Sequence, residues 1–68
     1  MKNPNPQLAE AIRAKAKEKG MSLAELSLQS HVSYDMLKRY GRQYMPSAKN
    51  LVAIAAALGT TAEELLNN

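Results

Sequence analysis

Residues 22–40 read SLAELSLQSHVSYDMLKRY, and this stretch carries the strongest structural signal in the chain. Ser22 followed three positions later by Glu25 has the form of a capping box, in which each side chain accepts from the other's backbone N–H. A short helix is therefore predicted from about residue 23 to 30. Ser33 can cap a further helix through about Tyr40, where Gly41 can relieve the backbone. His31 to Ser33 is then a three-residue connection between two short helices. Leu26, Val32, Leu37 and Tyr40 follow at intervals of 6, 5 and 3: an anchor in the first helix, a plug in the turn, and two residues on the inner face of the second. That spacing leaves Ser33, Tyr34, Asp35, Lys38, Arg39 and, just beyond, Arg42 pointing away from the core. A projecting helix with such an outward face is equipped to read base edges in a DNA major groove.

Punctuation residues cut the rest of the chain in the same way. Asn5 before Pro6 supplies an N-cap and a first-turn proline, and Leu8, Ile12 and Ala16 recur at helical spacing until Gly20 offers a left-handed stop, giving a helix of about 6 to 19. Ser47 after Pro46 opens a fourth helix, ended by Gly59, and Thr61 with Glu64 is a second capping box that starts a last turn or two carrying Leu65 and Leu66. No strand-like alternation intervenes, so the fold class expected is all-α: five short helices in a single domain over residues 1–68, with a helix-turn-helix unit at about 22–40. Residues 1–5 and 67–68 are expected to be flexible. Helices this short are marginal alone and must bury apolar stripes against one another. The core expected comprises Leu8, Ile12, Met21, Leu26, Val32, Leu37, Tyr40, Leu51, Ile54, Leu58 and Leu65, with Ala16, Ser27 and Ala55 where helix axes approach closely.

Composition narrows the function. A chain of 68 residues is near the lower limit for an unstapled core and leaves little room for a deep catalytic cleft. The absence of cysteine removes disulfides, thiolate metal sites and a thiol nucleophile, and fits a reducing cytosol. The longest apolar run, Leu51 to Leu58, is far short of a membrane span, and Met1 to Gln7 lacks a signal peptide's apolar centre. A soluble, unprocessed, cytoplasmic protein is expected, associated with the nucleoid through DNA. Residues 1–49 hold all nine Lys and Arg but only four of the six acidic residues, for a balance of +5, whereas residues 50–68 carry −2. A basic body with an acidic end suits a phosphate-binding face opposed by an acidic back.

In this register the sequence resembles the xenobiotic-response-element family of phage-repressor-like domains, which includes Cro and the lambda-type repressors. The resemblance covers about residues 8 to 66. It is carried by Gly20-Met21-Ser22, Leu26, His31-Val32-Ser33, Leu37, Pro46-Ser47, Leu51, Ile54-Ala55, Leu58-Gly59 and Glu64-Leu65-Leu66. It implies a compact five-helix lambda-repressor-like domain, a weak C2 homodimer on a near-palindromic double-stranded operator, and Cro-like regulation of the kind found in phages and mobile elements. No cofactor or small-molecule ligand is implied. The chain departs from the family pattern at Leu23, where glutamine is usual, at Ser27, where alanine is, and at His31 and Gln43, where glycine is. A frequent arginine–glutamate pair is replaced by Ala16 and Gly41, and losing both partners together can be nearly neutral.

Each candidate has an ordinary alternative. Lys38 and Arg39 can donate to guanine O6 and N7, with bidentate geometry open only to Arg39, and Tyr34 can pack on a thymine methyl or bond a phosphate; outside this register the same residues would be a solvated helix face. Asp35 near phosphates must either accept from cytosine or pair with Lys38 or Arg39 one turn on, and pairing is expected. The amides near Ser22 and Leu23 and at Ser47 to Lys49 can cradle phosphates as well as being capped, with Arg42, Lys19 and Lys49 adding charge. Tyr44, Met45, Pro46, Ala62 and Leu66 match regions that relatives use to dimerise, or else pack on their own core. His31 is read as a turn residue, since no second histidine or cysteine exists to build a metal site with it. The rival function is a protein-interaction module of the same fold, an antitoxin, antirepressor or partner subunit, with Leu23, Leu28 and Tyr44 as its patch. An enzyme ranks far lower, because nothing pairs a nucleophile with a base.

Overall fold

Each helix begins at a side-chain cap placed by the sequence. The computed structural model describes residues 5–40, 42–43 and 45–67. Within them run α1 (Pro6–Glu18), α2 (Leu23–Ser30), α3 (Tyr34–Arg39), α4 (Ala48–Ala57) and α5 (Ala62–Leu66). Asn5, Ser22, Ser33, Ser47 and Thr61 are the five N-caps, each accepting from an amide of the first turn it opens. The Ser22–Glu25 box is complete, whereas Thr61 accepts from Glu64 N–H without the return contact. Asn5 thereby caps α1, and at the other end the Asn67 amide donates to Glu63. The readings placed on Gly41, Tyr44, Asn68 and residues 1–4 fall outside the described residues.

The two glycine stops share one physical reason. Gly20 and Gly59 have φ of 69° and 71°, and each closes a double bond pattern over the preceding helix end. Met21 N–H donates to Ala16 and Gly20 N–H to Lys17; Thr60 N–H donates to Ala55 and Gly59 N–H to Ala56. This satisfies carbonyls that the helix leaves without partners, and glycine enters the left-handed region without a Cβ penalty. Past Arg39 the backbone turns extended at Tyr40, one residue earlier than the sequence suggested.

Apolar stripes from all five helices meet in one core. The expected members are buried, with Leu8, Leu26, Ile54 and Leu58 fully enclosed, while Met21 packs against the cluster only partly buried and Ser27 is intermediate. Ala9, Ala11 and Ser30 are buried in addition. Helices α1, α4 and α5 form the base, and α2 packs on α1 and α4. Helix α3 packs on α2 alone among the helices.

That arrangement makes the α2–α3 turn decisive. His31 occupies it with φ 61° and ψ 25°, the one non-glycine residue with positive φ among those described. A side chain there costs roughly 1–2 kcal/mol in local strain. The next residue, Val32, is clamped from both sides of its own backbone: Ser27 Oγ donates to its carbonyl at 2.6 Å, and its N–H donates to Ser30 Oγ at 3.3 Å. Ser30 in turn donates to the Leu26 carbonyl at 2.7 Å. The serine found at 27 in place of the usual alanine is therefore a turn latch. His31→Gly is expected to raise the unfolding free energy by about 1 kcal/mol, and Ser27→Ala to lower it by about 1 kcal/mol. Urea titrations with unchanged m-values will check both.

Candidate nucleic-acid interface

A helix advances about 100° per residue, which fixes the faces of α3. Taking Tyr34 as origin, Lys38, Asp35 and Arg39 fall within an arc of roughly 140°, and Met36, Tyr40 and Leu37 occupy the opposite side. Burial follows that division. Leu37 and Tyr40 are 4% and 2% exposed, whereas Tyr34 is 48% exposed and Asp35, Lys38 and Arg39 all lie open to solvent. With Val32 also buried, the turn and the inner face hold α3 down while its outer face stands clear.

The outer face is organised into two parallel pairs, each spanning one helical turn. Lys38 Nζ lies 5.6 Å from the centroid of the Tyr34 ring, a cation–π contact. Arg39 Nη2 lies 3.3 Å from Asp35 Oδ2, so the pairing expected for the carboxylate goes to arginine and not lysine. Asp35 is also the acidic residue of the first turn, where it meets the positive end of the helix dipole. The Ser33 hydroxyl accepts from Met36 N–H and keeps its O–H donor and a second lone pair for another partner.

The supporting amides sit at two helix starts. In α2 the Ser22 N–H is taken by Glu25 Oε1 at 3.3 Å, which leaves the Leu23 and Ala24 amides without acceptors among the described residues. In α4, Ser47 Oγ accepts from Asn50 N–H, and the Ala48 and Lys49 amides likewise lack acceptors there. Lys49 and Arg42 are exposed. Lys19 is placed differently: its Nζ lies 3.1 Å from where a Cβ on Gly59 would stand, at the C-terminal end of α4. A cation suits the negative end of a helix dipole, and that spot is a helix length away from Ser47 and Lys49.

One positioning contact escaped sequence reasoning. Asn50 Nδ2 donates to the buried Tyr40 Oη at 2.9 Å and so ties the first turn of α4 to the end of α3. The only signal available was a polar residue three places after a capping serine, which is too common to read. The remaining candidates are mixed. Met45 and Ala62 pack partly buried against the core, Pro46 is half-buried, and Leu66 is 41% exposed. Leu28 stands out at 76% exposed, and Leu23 is half-buried on the core's edge. His31 is exposed, and no group of three metal-ligating residues occurs among the described residues.

A five-helix bundle with a capped, latched turn and a protruding cationic second helix matches one family model, described as helix-turn-helix, over residues 12–65. The chain belongs to the helix-turn-helix family. Its members are DNA-binding regulators, and the match spans the region in which α2 and α3 lie. The fold of this helix-turn-helix protein is all-α and lambda-repressor-like. A search of curated proteins finds no match to the chain. No helix among the described residues is long and apolar enough to cross a membrane.

The separation of faces has a measurable consequence. Arg39→Ala and Lys38→Ala should shift the unfolding free energy by no more than about 0.5 kcal/mol, whereas Leu37→Ala should cost about 2–5 kcal/mol. Thermal or urea unfolding followed by circular dichroism distinguishes them, and a large cost at Arg39 would mean that its side chain belongs to the fold.

Proposed function

We propose that this helix-turn-helix protein is a sequence-specific, Cro-like transcriptional regulator that inserts α3 into the major groove of double-stranded operator DNA. The observation that carries the proposal is the exposure of α3: its backbone approaches α2 alone among the helices, and it holds Tyr34, Lys38 and Arg39 on its solvent side. Arg39 reads guanine through its planar fork, Lys38 supplies a second donor, and Tyr34 offers an apolar edge to a thymine methyl. Ser33 contributes its remaining O–H. The free amides at the starts of α2 and α4, at Ser22–Leu23 and Ser47–Lys49, receive backbone phosphates, with Lys49 and Arg42 adding charge. Lys19 is left out of this set, because its ammonium lies by Gly59 at the opposite end of α4 from Ser47 and Lys49.

A weak homodimer is part of the same proposal. Two copies of α3 meet successive major grooves about 34 Å apart when the protein is two-fold symmetric. The residues proposed for pairing are Tyr44, Met45, Pro46, Ala62 and Leu66; among the described ones Leu66 offers the most exposed apolar area. Self-association is proposed as weak, so that occupancy depends on the protein's own concentration.

Titration against duplex DNA at several salt concentrations tests the proposal. Phosphate neutralisation releases counterions, so log K is expected to fall linearly with log salt, at about 0.9 per phosphate contacted. On a duplex selected from a randomised library, Arg39→Ala should cost about 1–3 kcal/mol and relax base preference at one position. Lys49→Ala should weaken all sequences alike and reduce the slope by about 1. An inverted repeat in the selected duplexes would establish the dimer. Absence of binding at low salt would favour the interaction-module reading instead.

A further inference from the structure

The recognition surface contains a group that opposes DNA. Asp35 has a side chain 66% exposed in the middle of the outward arc of α3, where a carboxylate repels phosphates. An exposed ion pair adds little to stability, and the first-turn position of Asp35 supplies only the modest helix-dipole gain open to any acidic residue there. Among the described residues Asp35 has one ion-pair partner, Arg39, because the neighbouring cation Lys38 is drawn over the Tyr34 ring. The contact engages Nη2 and leaves most of the five guanidinium N–H groups directed elsewhere.

We propose that Asp35 is a positioning residue that acts through Arg39 and sets how sharply the protein discriminates among DNA sequences. The carboxylate holds the guanidinium in one orientation, so that its unused N–H groups form a fixed edge for a base. It also withholds Arg39 from the phosphate backbone: an arginine released to swing can neutralise a phosphate on any sequence, whereas a tethered one cannot. Affinity for arbitrary duplex falls, and the gap between the right site and the wrong one widens. This inference rests on the proposed DNA-reading role of α3 and assigns Asp35 a part different from the direct base contact considered at the outset.

The test uses the full chain with one duplex selected from a randomised library and one of random sequence, measuring both affinities across salt. The variants are Asp35→Asn, Asp35→Glu, Arg39→Ala and the double variant Asp35→Asn/Arg39→Ala. Asp35→Asn is expected to bind random duplex about 3–10-fold more tightly, with a salt slope steeper by about 1, as one more phosphate is neutralised. The ratio of selected to random affinity should fall about tenfold. Asp35→Glu, which keeps a charge able to reach one turn along the helix, should retain the ratio. In the Arg39→Ala background, Asp35→Asn should leave the ratio unchanged. Because the ratio cancels any loss of folded protein, a purely structural role for Asp35 would not move it. An unchanged ratio and slope for Asp35→Asn overturns the inference, and so does an equal loss of ratio with Arg39 removed, which would mean direct base contact. Failure of the unsubstituted chain to bind any duplex overturns the DNA-reading role as well.

Discussion

The backbone clamp at Val32 is the constraint on which the rest depends. Two serines from α2 hold its carbonyl and its amide while its side chain is buried beneath the turn. The preceding residue is forced left-handed without being glycine. A turn with that strain keeps one geometry only if its neighbours determine it, and here hydrogen bonds that lie within the helix-turn-helix unit do so. The direction in which α3 leaves α2 is thereby fixed by local chemistry, before any long-range packing is considered.

Packing then divides labour between the helices. Base helices α1, α4 and α5 bury most of the apolar surface, and α2 joins them to α3. Since α3 has six residues and one helical neighbour, it could not persist by itself. It persists because Leu37 and Tyr40 are sunk in the core and because Asn50 fastens the Tyr40 hydroxyl. The same economy of contact leaves the opposite side of α3 unobstructed. Stability and exposure of this helix are two results of one geometry.

Charge on the exposed side is moderated rather than maximised. Lys38 lies over an aromatic ring and Arg39 beside a carboxylate, so neither cation faces solvent alone. A surface of unrestrained arginines and lysines would attach to any polyanion. One whose cations are individually tethered carries information about position as well as sign.

Much of this was legible along the chain. Five capping residues and two glycines mark the helix ends, because caps act within three or four residues of the amides they satisfy. The apolar intervals through Leu26, Val32, Leu37 and Tyr40 likewise named the inner face of α3, since a 3.6-residue period converts spacing directly into direction. Sequence also allowed Asp35 two partners and could not choose, because Lys38 and Arg39 are both one turn away. Only the three-dimensional arrangement awarded Asp35 to arginine, carried Lys19 to the far end of α4, joined Asn50 to Tyr40, and turned Ser27 and Ser30 toward the backbone of one residue, Val32. Short-range periodicity determines which elements form and which side of each is buried. The partner of a particular polar side chain depends on where elements distant in sequence come to rest, or on a choice among rotamers of similar energy, and tertiary packing decides that.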